Sequence, residues 1–216
     1  MMRAQKNSVE QIGMRMAHIR DGAALCEAMS NLETRVNKSK WLQFDLNIIT
    51  PFFQFFTEQW TEEKIKYEIE RSRLSQQSVK GLSLRTVVAY GEHSSLPYYI
   101  SSNVTDIEVT DQNLLIIESG SQYYEGTTDV ARTFIFGEPT AAMKQAYTNV
   151  LAGILRLAHL KIPADLKLSE IDALVRGPLW TSMSDFPQAT GHGIGAYGAV
   201  QEREYIKIKK FKKKSN

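Results

Sequence analysis

The sequence of 216 residues predicts a globular fold that combines α-helices with β-strands. Apolar residues recur at helical steps of three and four residues near the start and again after residue 140. Between them lie short apolar runs bounded by polar residues or glycine, which are typical of strands. The length is sufficient for one domain with a sizeable core or for two small lobes.

The first helix is predicted to begin after Ser8, because Ser8 and Gln11 have the spacing of a capping box. A stripe on one helical face follows it, formed by Val9, Ile12, Met16, Ile19, Ala23 and Cys26. We expect this stripe to face the core, with Cys26 as a buried thiol. Since Cys26 is the only cysteine, an internal disulfide framework is excluded.

Strands are predicted at 86–90 and 114–117, and residues 130–136 alternate between apolar and polar side chains. The segment between the last two strands carries Gly120 and Gly126. We interpret that segment as the turn of an antiparallel β-ribbon.

Three further helices are predicted, one from Thr61, one over 141–160 and one over 169–183. In the last of these, Gly177-Pro178 is expected to break or kink the helix. The inward faces of the first two are expected to consist of Ile65, Ile69 and, as a further candidate, Leu74, and of Met143, Ala146, Val150, Ile154 and Leu157.

Two carboxylates, Glu118 and Asp129, lie eleven residues apart on either side of the predicted turn. An antiparallel ribbon can place both on one face, where they repel each other unless a proton or a cation neutralises them. A pair of divalent ions would neutralise them and activate a water molecule. His192, in the glycine loop T190-G-H-G-I-G, adds a nitrogen donor. Arg132 is a candidate to donate hydrogen bonds to the ligand carboxylates without binding the metal itself.

A purely structural interpretation stays open beside the metal hypothesis. A Glu/Asp pair around a hairpin is more often solvated than metal-bound, and a single histidine between glycines is weak evidence by itself. The remaining histidines, His18, His93 and His159, have no partner pattern, and we interpret them as surface or helix-face residues.

Several motifs together carry a family resemblance: R3-A-Q-K-N-S with G13-M-R-M-A-H-I-R-D, L114-L-I-I-E-S-G-S-Q-Y-Y-E-G-T-T-D-V-A-R-T-F, F136-G-E-P-T and T190-G-H-G-I-G. In these stretches the chain resembles the catalytic domain of aminopeptidase P, the Xaa-Pro aminopeptidases of the creatinase and methionine aminopeptidase superfamily. The combination of T-T-D-V-A-R-T-F with G-H-G-I-G is far more specific than either string alone.

The resemblance implies an α+β pita-bread fold of two similar halves, the second of which is incomplete in this sequence. It also implies two divalent metal ions, manganese or zinc, held between the halves by two Asp, one His and two Glu. Glu118, Asp129 and His192 stand at three of these ligand positions. The implied reaction releases an N-terminal residue that precedes proline, so peptides with proline at the second position are the expected partners.

The chain also departs from the family pattern. Glu118 replaces an Asp ligand, and its extra methylene shifts a carboxylate whose metal distances tolerate only about 0.2 Å. Tyr98 and Gln201 replace two catalytic histidines, and neither side chain acts as an imidazole-type acid or base near neutral pH. Glu202 and Glu204 come too early to be the two Glu ligands. We therefore assign no catalytic residue and predict little or no peptidase activity for this polypeptide alone.

Charge and hydropathy exclude other classes of protein. Residues 203–216 hold seven basic residues and one acidic residue, so the rest of a chain with net charge +2 is net negative. We therefore expect no nucleic-acid binding. No apolar run is long enough to span a bilayer and no signal peptide is evident, so we expect a cytoplasmic protein without a membrane segment. A homodimer is compatible with the sequence.

Two segments interrupt the resemblance. Residues 37–60 are a predicted insertion in a partial peptidase domain, 1–202, and residues 203–216 are a predicted disordered basic tail. Both are rich in Lys, Asn, Ile and Phe, which AT-rich codons favour, and we hypothesise that both are translated intron sequence. The alternative interpretation of the tail is a nuclear-localisation or polyanion-binding arm.

Two functional hypotheses follow from the sequence. The first is a metal-dependent domain similar to aminopeptidase P. The second is a non-catalytic pseudopeptidase that uses the pita-bread surface for binding, as histone-chaperone and growth-regulator relatives do. A third outcome, in which the chain does not fold stably, follows if strands that cover its core are missing.

Overall fold

The structure is a computed structural model that describes residues 5–46, 59–163, 166 and 168–202. It contains four α-helices in its described part: α1 (Ser8–Leu46), α2 (Glu62–Leu74), α3 (Ala141–His159) and α4 (Leu168–Trp180). Eight short strands accompany them: β1 (Val79–Leu82), β2 (Val87–Tyr90), β3 (Leu115–Ser119), β4 (Ser121–Tyr123), β5 (Gly126–Thr127), β6 (Val130–Phe134), β7 (Gly193–Ile194) and β8 (Gln201–Glu202). A short 3-10 helix, Gly91–Ser95, follows β2.

The chain divides into two compact units. The first unit runs to Glu138 and includes Ile194–Val200, and the second comprises Pro139–Gly193 with the chain from Gln201 onward. The first unit therefore contains α1, α2 and six strands, whereas the second contains the helices α3 and α4.

The central sheet of the first unit has the antiparallel order β2-β3-β6. Its middle strand alternates strictly between buried and half-buried residues, so one face of the sheet points into the core. Leu115 and Ile117 supply that face and pack with Ile65 and Ile69 of α2. The predicted strands and the inward positions of Ile65 and Ile69 are therefore confirmed.

The predicted turn between Gly120 and Gly126 contains two more strands. β4 pairs with β1 and with β5, which forms a second, three-stranded antiparallel sheet. Gly120 is required where the two sheets meet, because a Cβ atom there would collide with the Thr128 carbonyl oxygen and the Ser83 hydroxyl. The ribbon is thus a folded corner rather than a loose turn.

Helix α1 packs on the face opposite to the predicted one. Val9 is 77% exposed, and Ile12, Met16 and Ile19 are also exposed, so the expectation that this stripe is buried was wrong. The buried face consists mainly of small residues such as Ala17, together with Asp21, Ala24, Leu25, Ala28 and Leu32. Small residues are favoured on this face because the backbone of α1 comes close to neighbouring backbone. A Cβ atom at Gly13 would collide with the Glu125 carbonyl oxygen.

Two further predictions of burial fail for related reasons. Cys26 belongs to the outward stripe of α1 and is exposed. Leu74 is 49% exposed because α2 ends there, at the C-cap residue Ser75, where the helix turns away from the core.

A buried ion pair joins the two helices of the first unit. Arg73 of α2 is completely buried, and its Nη1 donates to Oδ1 of Asp21 in α1, which is 1% exposed. Its Nη2 donates to the Ser119 hydroxyl at 3.0 Å. A buried guanidinium is tolerated only when such partners compensate its lost hydration. Arg73 therefore fixes α1, α2 and the end of β3 together.

In the second unit, α3 and α4 pack against each other at a glycine. A Cβ at Gly153 would collide with the Val175 carbonyl oxygen, and Asn149, one turn earlier, is also buried. The predicted inward face of α3 is largely wrong, because Val150 and Ile154 are exposed, as is Ala146, while Met143 and Leu157 are half-buried. As in α1, close helix approach favours the small residues.

Helix α4 continues through Gly177 and Pro178 to Trp180, so the predicted break at this dipeptide is wrong. The proline lies in the last turn of the helix. The predicted insertion, 37–60, begins inside α1; residues 47–58 of it and the predicted tail, 203–216, lie outside the described residues. Among the described helices, none has the length and apolarity needed to cross a membrane.

We predict that Arg73→Met lowers the free energy of unfolding by about 3–5 kcal/mol, because it leaves Asp21 buried without its partner. Urea unfolding followed by circular dichroism measures the change. Arg71→Met is the matched control on the same helix, since Arg71 pairs at the surface with Glu68 and its loss should change little. Equal losses in the two variants would contradict the structural role given to Arg73.

Candidate functional site

Glu118 and Asp129 lie on neighbouring segments of the first unit. Glu118 lies in β3 directly opposite Ala131 of β6, and Asp129 immediately precedes β6. The paired residues end at Ser119 and Val130, and the same alternation continued by one residue makes Asp129 the diagonal neighbour of Glu118. Both residues are half-buried. From this register we expect both carboxylates on one face, near the edge of the sheet with the folded corner.

The backbone before Asp129 is held in place by buried threonines. Thr128 is completely buried, and its amide donates to the Ser121 carbonyl oxygen at 2.9 Å. Its hydroxyl accepts from the Ser121 amide at 2.8 Å, and its carbonyl oxygen accepts from the Ser83 hydroxyl at 2.6 Å. Because three hydrogen bonds fix the preceding residue, Asp129 leaves the corner in one defined direction.

Arg73 supplies a positive charge near Asp129. It donates to Ser119, the residue after Glu118, and the negative charge of Asp129 favours its charged form. Burial lowers the pKa of Arg73 to about 10, against the opposing effects of Tyr123 and Asp129, so the guanidinium is charged at neutral pH. Sequence reasoning missed this residue, because a buried arginine on a helix leaves no periodic pattern.

Arg132, the predicted second partner of the carboxylates, has a different position. It pairs with Ile117 in the register, so it points to the face opposite Glu118. It is exposed, and its Nη1 donates to the Ala131 carbonyl oxygen at 2.7 Å. Arg73 is a cation whose charge interacts with that of Asp129.

The segment around Tyr98 is anchored by a buried carboxylate. Glu62 has no exposed surface, and it accepts hydrogen bonds from the Tyr90 amide at 2.7 Å and the Tyr99 hydroxyl at 2.6 Å. His93 Nδ1 lies 3.0 Å from one Glu62 oxygen, and the His93 ring stacks on Tyr99. Burial, followed by the hydrogen bond to Glu62, raises the pKa of Tyr99 to about 12.

Tyr98 itself projects away from this anchor. It is 94% exposed and has a positive φ of 61°. A bulky residue in the left-handed region is unusual, and Glu62 holds the neighbouring Tyr99 that fixes the turn. Tyr98 thus presents its phenol ring to solvent.

His192 belongs to the second unit, where it precedes β7. It is half-buried, and its Nδ1 lies 3.0 Å from the Gly193 carbonyl oxygen. Gln201, at the position of the other family histidine, is exposed in β8. The chain that precedes His192 is bound to α4. Nη1 of Arg176, a residue of α4, lies 2.7 Å from Oδ1 of Asp185, seven residues before His192.

Carboxylate oxygens and imidazole nitrogen are suitable ligands for zinc or manganese, so Glu118 and Asp129 in the first unit and His192 in the second are each chemically suitable donors. Within residues 5–46, 59–163, 166 and 168–202, no group of three or more His, Cys, Asp or Glu is arranged as a metal site.

Comparison with known sequences gives one consistent result. The profile of metallopeptidase family M24 matches residues 12–215. Aminopeptidase P1 of Arabidopsis thaliana is 32% identical over 205 residues, which are 93% of this chain and 31% of that protein. The Xaa-Pro aminopeptidase of Drosophila melanogaster is 36% identical over 192 residues, 89% of this chain and 28% of that protein. The chain thus spans about a third of the length of these curated relatives.

Comparison with solved structures gives the fold. X-prolyl aminopeptidase from Caenorhabditis elegans, described as a cytosolic enzyme with a di-nuclear active site, superposes with a TM-score of 0.78 and 30% identity. The match covers 96% of this chain and 31% of that one. X-Pro aminopeptidase from Thermotoga maritima has a TM-score of 0.74 at 23% identity and covers 96% of this chain and 51% of that one. The predicted α+β pita-bread fold is confirmed.

We predict that Asp185 titrates below its ordinary pKa of 3.8. Burial alone would raise the pKa, but the hydrogen bonds from Arg176, the Phe186 amide and Trp180 lower it more. Because the folded pKa is the lower one, Asp185 stabilises the fold above its unfolded pKa, and this contribution is lost as the pH falls through the folded value.

Carboxyl NMR titration measures this pKa, and the acid-unfolding profile of Asp185→Asn should lack the corresponding loss. Glu170→Gln, which removes an exposed carboxylate from α4, should keep it. A pKa for Asp185 at or above 3.8 would contradict the geometry of the Arg176 pair.

Proposed function

Because the chain belongs to metallopeptidase family M24, we propose that Glu118 and Asp129 bind one divalent metal ion. This site would be a partial version of the one that the resemblance to aminopeptidase P implies. His192 is proposed as a further donor on the basis of its family position alone. We also propose that this polypeptide by itself does not hydrolyse peptides at an appreciable rate.

The observation that carries the proposal is the position of Glu118 in β3 and of Asp129 directly before the neighbouring strand β6. Three hydrogen bonds at Thr128 fix the backbone from which Asp129 extends. A metal site on strands, with its supporting contacts already formed, costs little reorganisation on binding. Zinc or manganese would lower the pKa of a bound water, which is the chemistry such an ion supplies.

Low activity is expected because the two positions at which the resemblance implies acid–base histidines hold other residues. Tyr98 is turned outward and Gln201 is an exposed amide, so neither provides an imidazole that titrates near neutral pH. Glu118 adds a methylene where the family has aspartate, which weakens a ligand whose distance tolerance is about 0.2 Å. With three donors, coordination stays incomplete.

The substrate class is inferred from the relatives. Several are named Xaa-Pro aminopeptidases, so we propose that peptides with proline at the second position are the ligands of the complete site. The Caenorhabditis elegans relative is described as cytosolic, and we propose a cytoplasmic location for this chain.

A second candidate function is a non-catalytic binding module with the pita-bread surface. The outward Tyr98 favours it, because an exposed aromatic ring on an anchored loop suits contact with a partner better than proton transfer. The two candidates differ in one measurable property: the first requires metal binding by the carboxylate pair, and the second does not.

We predict that the purified chain binds Zn²⁺ or Mn²⁺ with a stoichiometry of about one ion, measured by isothermal titration calorimetry after chelator treatment. Asp129→Asn should weaken the affinity at least tenfold, since even indirect partners of metal ligands typically contribute about 10–100-fold. Glu92→Gln, an exposed carboxylate of the same unit, is the control and should bind as the parent chain does. Parent and Asp129→Asn chains that bind equally would refute the site.

Glu118→Asp should increase the metal affinity by about tenfold, because it restores the shorter ligand of the family and removes the misplaced methylene. The same calorimetric titration decides this. An affinity that stays equal or falls would mean that the site accommodates glutamate at position 118. The extra methylene of Glu118 would then not weaken metal binding.

With either metal present, a tripeptide with proline at its second position should release no N-terminal residue beyond the rate of a protein-free control. Liquid chromatography with mass detection measures the released amino acid. Release that requires the protein and disappears in Asp129→Asn would overturn the predicted inactivity while supporting the metal site.

A further inference from the structure

The buried side chain of Arg176, in the second unit, makes several polar contacts at once. It lies on α4, is 1% exposed, and its Nε contacts both carboxylate oxygens of Asp172 at 3.0 and 2.9 Å. Its guanidinium also lies 3.8 Å above the centre of the Phe186 ring. A guanidinium presents five N–H donors in a rigid planar fork, so one arginine can fix several acceptors at once.

Apart from Asp172, the acceptors of Arg176 lie on the segment that leads to His192. Nη1 donates to the Asp185 carboxylate at 2.7 Å and to the Phe186 carbonyl oxygen at 2.6 Å, and Nη2 donates to the Gln188 carbonyl oxygen at 2.8 Å. This segment has neither helix nor strand of its own. Its conformation therefore depends on these side-chain contacts rather than on a backbone ladder.

Asp172 extends the same network to the glycine loop. It lies one turn before Arg176 on α4, and it accepts a hydrogen bond from the Thr190 hydroxyl. Thr190 is two residues before His192. The network thus ties the chain to α4 at 185, 186, 188 and 190, and the last tie is adjacent to Gly191.

We propose that Arg176 and Asp172 are positioning residues that fix the orientation of the His192 imidazole for metal binding. The inference rests on the proposed metal-binding function for the role of His192, whereas the ordering of the loop stands on the contacts alone. Glycines on both sides of His192 leave its backbone intrinsically free, so contacts of neighbouring residues must supply its order, and the network supplies them on the preceding side. Lysine at 176 keeps the charge but cannot hold four acceptors with one planar group.

The experiment uses ¹⁵N-histidine labelling of the full chain, because the sequence has only four histidines. His159 lies in the same unit on α3, and His18 and His93 lie in the other unit, so three signals serve as internal references. Arg176→Lys and Thr190→Val each weaken the network in a different way. Asn149→Ala is the matched control, since it removes a buried hydrogen bond to Ser182 that does not involve the loop.

Without metal and at fixed pH, Arg176→Lys and Thr190→Val should shift and sharpen the His192 signal, as expected for a more mobile ring, and leave the other three signals in place. Asn149→Ala should leave all four unchanged. With Zn²⁺, the same two variants should bind about 10–100-fold more weakly than the parent chain.

An unchanged His192 signal in both folded variants would overturn the proposal, as would equal changes in all four signals, which indicate general unfolding. Variants that mobilise His192 but bind Zn²⁺ as tightly as the parent would overturn its metal-directed part. If the parent chain binds no Zn²⁺, the proposed function fails, while the metal-free spectra still decide whether Arg176 orders the loop.

Discussion

The buried pair of Asp21 and Arg73 is the interaction on which the first unit depends. It links α1 to α2, and through Ser119 it reaches the strand that carries Glu118. The same guanidinium lies in the field of Asp129. A buried charge tolerates few alternative arrangements, because every displacement leaves it without compensation. The pair therefore specifies how two helices and the carboxylate face are arranged, in addition to any stability that it contributes.

Each unit has a buried arginine on a helix that contacts a segment with proposed ligand residues. In the first unit, Arg73 stabilises the end of β3, and in the second, Arg176 organises the chain before His192. The two networks differ in their acceptors: Arg73 bonds to side chains, whereas Arg176 also binds backbone carbonyl oxygens. That difference is expected, because a strand already satisfies its backbone groups and an irregular segment does not.

The sequence predicts the parts of the fold that local patterns encode. The apolar runs correctly give β2, β3 and β6. The eleven-residue spacing puts Glu118 in β3 and Asp129 directly before β6. The stripe that begins at Val9 gives the right helix but the wrong face, because the packed face is built from small residues. Hydrophobic periodicity detects the helix face that carries large apolar residues. Close packing of the helix backbone against its neighbours instead favours small residues, which this pattern does not detect.

The buried polar networks could not be predicted from this sequence. Glu62, Arg73 and Arg176 are charged residues on helices, where the default expectation is exposure. Arg73 and Asp21 are 52 residues apart in the sequence, and Glu62 is 28 residues from Tyr90 and 37 from Tyr99, so no local spacing reveals these contacts. Only Asp172 and Arg176 have a local, i,i+4 spacing among these pairs. The exchange of a family histidine for Tyr98 was visible in the sequence, but its outward orientation depends on the anchor at Glu62.

Glu118 and Asp129 are proposed to bind one metal ion together. Anomalous diffraction at the zinc edge, from crystals grown with Zn²⁺, locates such an ion. We expect one peak about 2.0–2.2 Å from a carboxylate oxygen of each residue. Well-ordered Glu118 and Asp129 side chains at saturating zinc, with no peak between them, would contradict it.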